Sequence, residues 1–463
     1  MSNEGTFRLL VPADRVAVGQ GRSIELGQIK WIVTAYPGIP PAARVPEYTC
    51  ISYSWGHRRT PNPLADGLTM SGRAIPAVET VIKALRPQAI WIDALCVPPR
   101  EPERTACLRS MGAIYGSASQ VAAVLSKSSS SVLKQIKSTG SLDPPTLLAL
   151  EQDEWVSRAW TYQEMVNSRS FSFIAEACSD HVVSGDQFLN VVGAAISAYK
   201  KANGIDSFVL RTLHPRLDSL EDVIADWVTA AYLERTAYQV MSAMDRRSSE
   251  HPEDHFNAMI GAITGDAAEV DDGPSVHPAE YFMRVCEAKS DYSFIYSAAP
   301  RSDIPGKCWR PVAGLIPAVL PWHSHGDGQP GHAHPTHLTL EGMCRMVPGA
   351  ATPTALQFIE DWLQSANSSP SSGTLAERTL AKLRQAGFSG SGEHLEVESG
   401  LFFPQSTLTH SDQAAVAVAL GVKWVHGAPG LLLNSAGADL HRFGAVGVFV
   451  GPLPKTGNPI NVM

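Results

Sequence analysis

The chain has 463 residues, too many for one ordinary hydrophobic core, so two or three domains are expected. With 44% hydrophobic and 18% charged residues it reads as globular and somewhat charge-poor. Its net charge of -8 argues against the basic face of a dedicated nucleic-acid binder, while leaving room for one small nucleotide site. The 7 cysteines stand at irregular spacings without a CxxC pair, which fits reduced thiols better than a disulfide framework. Met1–Arg15 lacks the apolar core of a signal peptide. The longest apolar runs, such as Val312–Leu320 and Phe443–Val450, fall short of the roughly 20 residues a membrane span needs. A cytoplasmic protein without membrane or nucleic-acid partners is the expectation.

In chain order, strand-like pieces at Phe7–Val11 and Ile29–Thr34 lie in a Pro- and Gly-punctuated stretch. A strand Tyr48–Ser54 then gives way to a polar, Pro-containing loop, Gly56–Gly67. A helix fits Ala77–Arg86, where Val78, Val81, Ile82 and Leu85 recur at helical spacing before Pro87. A strand Ala89–Ile92 closes on Asp93, and Glu103–Gly116 reads as a helix with Cys107, Leu108, Met111, Ile114 and Tyr115 inward. Gln120–Leu125 is a third strand, and the alternation predicts a parallel α/β sheet with helices on both faces.

Beyond Asp180 the pattern turns helical, at Glu221–Asp245, His255–Thr264 and Pro278–Ala288. Strand-like character returns at Trp309–Leu320, before a Gly/His-rich loop, Trp322–His337, and a helix at Pro353–Ser365. The Ser/Pro/Gly tract Ser365–Gly373 reads as flexible, and Leu395–Val462 is expected to add strands. Three parts are therefore expected: 1–180, a mainly helical 181–305, and a mixed α+β region 306–463.

Three segments carry the chemistry: Tyr48-Thr-Cys-Ile-Ser-Tyr-Ser-Trp-Gly56, Ile90-Trp-Ile-Asp-Ala-Leu-Cys96 and Arg158-Ala-Trp-Thr-Tyr-Gln-Glu164. Each places a polar group, Ser54, Asp93 or Glu164, on or just after an apolar run, and ligand sites of open parallel sheets lie at such carboxyl edges. Together they resemble the signature of the heterokaryon-incompatibility (HET) domain, associated with fungal non-self recognition, innate immunity and programmed cell death. Val97-Pro98-Pro99 departs from that family's usual Ile-Asn-Gln, and Pro252–Gly261 is similar to a segment often found after the domain. HET domains are in turn similar to TIR domains. Ile51-Ser-Tyr-Ser54, Gln120–Ser126 and Trp160-Thr-Tyr-Gln-Glu164 follow the TIR order, the last resembling the Trp-x-x-x-Glu of NAD-cleaving members. The resemblance implies a flavodoxin/TIR-like sheet and a candidate NAD hydrolase acting as an oligomer. It implies Glu164 as the catalytic residue, with Ser52, Ser54, Trp55, Gly56, Asp93, Cys96, Arg158 and Trp160 as the nucleotide-binding set.

Physical chemistry is compatible with that implication. Nicotinamide leaves its ribose as a neutral ring, so one carboxylate suffices where ordinary glycosidases use two. A helix puts Trp160 one turn before Glu164, on the same face. Structural roles compete with each assignment: Trp91 and Trp160 as core, Glu164 paired to Arg158, Asp93 capping a turn or pairing with Arg104, Cys96 as a small buried residue. The histidines His323, His325, His332, His334 and His337 offer a zinc-hydrolase alternative at spacings that match no tight ligand pattern. One GxGxxG match, Gly326–Gly331, has no helix after it to receive a pyrophosphate. GxxxxGK[ST], HExxH and GxSxG are absent. The competing functional class is a non-catalytic signalling module that acts by self-association or by binding a partner signalling protein.

Overall fold

The computed structural model describes residues 6–15, 22–40, 43–229, 235–264, 276–346, 348–365, 372–407, 414–437 and 439–463. The chain divides into two compact units made of interleaved segments. The first takes Met1–Lys201, His214–Leu233 and Arg246–Glu269, the second Ala202–Leu213, Glu234–Asp245 and Val270–Met463.

The described strands of the first unit are β1 (Thr6–Pro12), β2 (Ser23–Leu26), β3 (Ile29–Pro37), β4 (Thr49–Tyr53), β5 (Arg59–Pro61), β6 (Thr69–Ser71), β7 (Ile90–Trp91), β8 (Gln120–Leu125), β9 (Phe171–Ala175) and β10 (Cys178–Ser184). All but β5 and β6 form one sheet in the order β10-β9-β8-β4-β7-β1-β3-β2. Its centre, β9-β8-β4-β7, is parallel, with Thr49 beside both Ile90 and Gln120, and Val121 beside Phe171. Every residue of β4 and β9 is buried, and all of β8 after its first. Continuous burial without alternation is what a parallel sheet covered on both faces requires. The three expected strands are therefore parallel neighbours. The sheet as a whole is mixed, because β1 adds antiparallel to β7 at Leu10–Ile90 and β10 forms an antiparallel pair with β9.

Helix α1 (Ala74–Leu85) occupies the expected place and stops at Arg86 in a left-handed cap. A single turn, α2 (Asp93–Cys96), follows β7. The helix expected over Glu103–Gly116 is instead two, α3 (Glu103–Arg109) and α4 (Met111–Ser117). They meet at Ser110, whose hydroxyl donates back to the Ala106 carbonyl at 2.8 Å, a bond that competes with helix continuation. The loop expected at Gly56–Gly67 contains β5, which pairs with β6 as a small hairpin.

Further along come α5 (Ser130–Thr139), α6 (Pro144–Leu148), α7 (Ala159–Val166) and α8 (Gly185–Asn203). Next are α9 (Ser207–Leu213), α10 (Pro215–Thr229), α11 (Ala237–Met244), α12 (Glu253–Ile263) and α13 (Pro278–Ala288). Of these α10 and α12 belong to the first unit, α9, α11 and α13 to the second. The single helix expected over Glu221–Asp245 is thus α10 and α11, with 230–234 outside the described residues. Among the described residues no helix is long and apolar enough to cross a membrane.

The second unit continues with α14 (Pro353–Ser365) and α15 (Leu375–Gln385), and with β11 (Gly331–Ala333), β12 (Leu338–Met346), β13 (Leu395–Val397), β14 (Gly400–Pro404), β15 (Ala414–Ala419), β16 (Gly427–Ser435), β17 (Leu440–Val450) and β18 (Asn458–Val462). Strands β12, β15, β16, β17 and β18 pair in a ring that closes through β18 onto β12, a small barrel the sequence did not suggest. Met346, Phe402, Val416, Val418, Leu432 and Phe449 belong to one apolar cluster there. The strand-like run Trp309–Leu320 makes only isolated bridges, at Pro311 and Ala318. Pro311 and Pro317 lack the N–H a ladder needs. The tract Ser365–Gly373 lies outside the described residues over 366–371. Gly331 of the GxGxxG match opens β11 and no helix follows, while Gly326 packs its backbone on the Gly421 carbonyl.

Candidate functional site

At the carboxyl edge of the parallel strands, chain order second–first–third–fourth brings four strand ends side by side. The half over β4, β8 and β9 is closed. Arg73 donates both to Ser54, at the end of β4, and to Glu176, just after β9, the latter at 2.9 Å. Asp153, wholly buried, accepts from the Ser126 amide and hydroxyl at 2.9 and 2.8 Å and from the Ser129 hydroxyl at 2.6 Å. Ser54 itself is fully buried beneath Arg73.

The half over β4 and β7 is open and forms a cleft of about 390 Å³, a volume typical of small-molecule sites. Its floor is Asp93, which the end of β7 delivers to the edge. One Asp93 oxygen accepts from the Trp55 indole at 2.6 Å, the other from the Ala94 amide at 2.6 Å. Burial pushes this carboxyl above the usual range, against those hydrogen bonds and the charge of Arg158. The buried Tyr53 hydroxyl also faces this carboxyl. Hairpin β5–β6 forms one wall with Asn62, Leu64, Leu68 and Met70, and is anchored by the Asn62 amide on the Ala94 carbonyl at 3.0 Å. Arg59 stacks over Trp55 at 5.3 Å and pairs with Glu250 at 2.7 Å. Arg158 and Trp160, at the start of α7, form another wall with Glu250, His251 and Asp254. Burial also raises the Asp254 carboxyl, against the pull of the Trp160 indole, His251, Arg104 and Arg158. Arg8 completes the rim; continuing the Leu10–Ile90 register by two residues sets it beside Ile92, at the same edge of the sheet.

The segment after α10 holds this wall in place. Along α10, Asp218, Asp222 and Asp226 repeat every fourth residue and are all buried. Arg246 pairs with Asp218 at 2.9 Å and with Asp222, while Asp226 accepts from the Tyr162 hydroxyl of α7 at 2.8 Å. Arg247, also buried, donates to the Val156 and Arg158 carbonyls at 3.1 and 3.0 Å, and Ser248 donates to the Ser157 carbonyl at 2.7 Å. Residues 246–254 are thereby laid along the entry to α7.

Glu164 does not line the cleft. It points from α7 into the sheet core at 5% exposure. There it accepts from Ser52 at 2.5 Å, and Ser52 in turn accepts from the Trp155 indole at 2.8 Å. Burial, reinforced by the charge of Asp93, pushes its carboxyl up to about 8, against the Ser52 and Tyr115 hydroxyls and Arg158. Burial thus favours the protonated form of Glu164, and among the described residues it makes no ion pair with Arg158.

Of the residues singled out in the sequence, Trp55, Asp93, Arg158 and Trp160 meet in one cleft. Ser52 and Glu164 lie beneath it, and Ser54 is held by Arg73. Gly56 takes a left-handed turn, φ +62°, beside the Arg73 stem. Cys96 is buried, its thiol 3.8 Å from the Ile90 carbonyl and pushed up to about 11 by burial, so it acts as a small core residue. Trp91 is core, edge-on to Tyr115. The Asp93–Arg104 ion pair is not formed among the described residues. Sequence reasoning missed Arg8, Arg59, Asn62 and Glu250, which come from three separate segments; for Asp254 the signal was the Pro252–Gly261 similarity. In the His-rich loop His334 stacks on His337, and His332 lies 3.6 Å from Glu341. Among the described residues no group of three His, Cys, Asp or Glu is placed to hold a metal ion.

An α/β unit with a ligand-sized cleft at its carboxyl edge is the class of protein defined here. Residues 48–146 match the family described as heterokaryon incompatibility protein (HET), so the chain carries a HET domain. Neither a curated protein nor a solved structure matches the chain. Arg8, Arg158, Trp160, Glu164 and the 246–254 segment all lie outside the matched residues.

Proposed function

We propose that this HET domain is an effector of non-self recognition and cell death, and that its cleft binds NAD and cleaves the nicotinamide–ribose bond. The observation that carries the reading is Asp93, a hydrogen-bonded carboxylate facing a cleft that also presents the Trp55 and Trp160 rings. An indole offers a face to nicotinamide or adenine, and a carboxylate suits ribose hydroxyls or a cationic sugar centre. In the reaction the C1′–N bond breaks, its electron pair leaves with neutral nicotinamide, and water adds at C1′ and releases a proton to solvent. Asp93 stabilises the developing positive charge. Glu164 acts from behind as a positioning residue, holding Ser52. The strand order second–first–third–fourth, shared with flavodoxin-like sheets, supports the TIR-like reading.

The sealed, neutral state of Glu164 favours a second reading, in which the domain signals by assembly without catalysis. The test is NAD loss in cells expressing the chain, or a forced oligomer of it, against Asp93→Asn and Glu164→Gln. Asp93→Asn is expected to slow NAD loss about 100- to 1000-fold, the usual consequence of removing a preorganised electrostatic contact. Toxicity that persists in both variants with NAD unchanged throughout would establish the assembly reading.

A further inference from the structure

Four arginines line the cleft, and they are not equivalent. Arg59 is already engaged, by Glu250, the Gly56 carbonyl and the Trp55 ring. Arg8, Arg104 and Arg158 also face the cleft, and among the described residues none of their guanidinium groups closes a hydrogen bond or ion pair. They are linked only through space: Arg8 and Arg104 both act on Cys107, and Arg104 and Arg158 both act on Asp254. Three unpaired guanidinium groups converging on one concavity repel one another, and a folded protein keeps such an arrangement at a cost that an anion offsets.

We infer that this rim, Arg8, Arg104 and Arg158, is a subsite for a phosphoanhydride, the linked pair of phosphates of a diphosphate ligand. The planar guanidinium fork matches phosphate oxygens two at a time. The three forks come from three walls, β1, α3 and the entry to α7, so a ligand that engages all of them must span the mouth. Two linked phosphates do so; a single orthophosphate reaches fewer. The nearby acids offset the rim only in part: Glu250 is bound to Arg59, and Asp93, which accepts from Trp55 and Ala94, faces Arg158 alone of the three. Asp254, on which Arg104 and Arg158 act, is a further acid against which the phosphates must be seated, which favours ligands whose negative charge sits toward Arg8. The subsite shares the cleft of the NAD reading, but its existence does not depend on cleavage.

The test is calorimetric titration of the full chain at low ionic strength with orthophosphate, pyrophosphate and ADP. Pyrophosphate is expected to bind one per chain and at least tenfold more tightly than orthophosphate. Arg8→Gln, Arg104→Gln and Arg158→Gln are each expected to weaken it about tenfold, the scale of one charge-assisted contact. Glu250→Gln, which releases Arg59 at the same mouth, is expected to strengthen it severalfold. ADP binding more tightly than pyrophosphate identifies a nucleoside diphosphate as the source of the anhydride, and equal affinities identify an inorganic one. No pyrophosphate binding, or binding unchanged by all three arginine variants, overturns the subsite. Arg104 is exposed and, among the described residues, hydrogen-bonds to no other side chain, so its variant keeps the fold and serves as the decisive one. Arginine-dependent pyrophosphate binding without NAD loss leaves the subsite standing and removes the cleavage reading. NAD loss without pyrophosphate binding does the reverse.

Discussion

Glu164 concentrates the physical chemistry of this domain in one side chain. An ionised carboxylate in the core of a sheet is unfavourable, and proteins commonly resolve the conflict by keeping the proton. Here the folded carboxyl titrates at about 8 against an ordinary value of 4.5. The folded state therefore binds more protons than the unfolded state between those two values. Stability from this group is complete below about 4.5 and is lost as pH rises through about 8. Replacing Glu164 with Gln keeps shape and hydrogen bonding and removes the titration. The melting temperature of the variant is expected to fall less between pH 5 and pH 9, and to exceed that of the parent chain at pH 9. Parallel pH profiles for the two proteins would refute the buried-acid account. Asp93, Trp55, Arg158 and Trp160 were legible in the sequence because strand ends and a helix start put them at one edge. The inward turn of Glu164 was not, since its cause is Ser52 and Trp155, 112 and 9 residues away.

Between elements, the fit of α4 against α12 is set by two glycines. A Cβ on Gly112 would lie 2.2 Å from the Gly261 carbonyl oxygen and 2.7 Å from that of Thr264. On Gly261 it would lie 1.5 Å from the Gln163 amide oxygen. The side-chain amide of Asn167, which ends α7, also donates to the Gly261 carbonyl, at 2.6 Å, so three helices meet there. Gly112→Ala gains about 1 kcal/mol of helix propensity, yet forces two backbones apart, and such overpacking costs typically 1–3 kcal/mol. Because the obstacle is backbone and cannot rotate away, the upper end applies. The urea midpoint is expected to drop with the m-value unchanged, a loss of about 1–2 kcal/mol net. An unchanged midpoint would mean that the helices separate freely. Helical spacing in the sequence revealed α1, α12 and α13, and apolar runs revealed β4 and β8. The β5–β6 hairpin stayed hidden because three-residue strands such as Arg59–Pro61 carry no period, and Trp309–Leu320 misled because its apolar residues surround two prolines.

At the scale of the molecule, the matched family segment is not a self-sufficient body. Within 48–146 lie β4, β7 and β8, but β9, which covers the other side of β8, and β1, which covers β7, lie outside it. A fragment limited to those residues would expose two sheet edges whose side chains are buried in the whole unit, among them Val121, Ala123 and Trp91. It would also lose α7, α10 and α12. The sequence gives warning of more than one domain through length alone. It cannot reveal that the first unit reaches forward to Arg246–Glu269 while Ala202–Leu213 and Glu234–Asp245 belong to the second, because periodicity is local and this interleaving is not. The cleft inherits the dependence: its floor comes from the matched segment, but Arg8, Trp160 and Asp254 come from either side of it. Residues 48–146 expressed alone are therefore expected to lack a cooperative thermal transition and to show the narrow amide proton dispersion of an unfolded chain, whereas the full chain shows both a transition and dispersed resonances. A folded, cooperatively melting 48–146 fragment would refute this account and place the domain's stability within β4, β7 and β8 and their own helices.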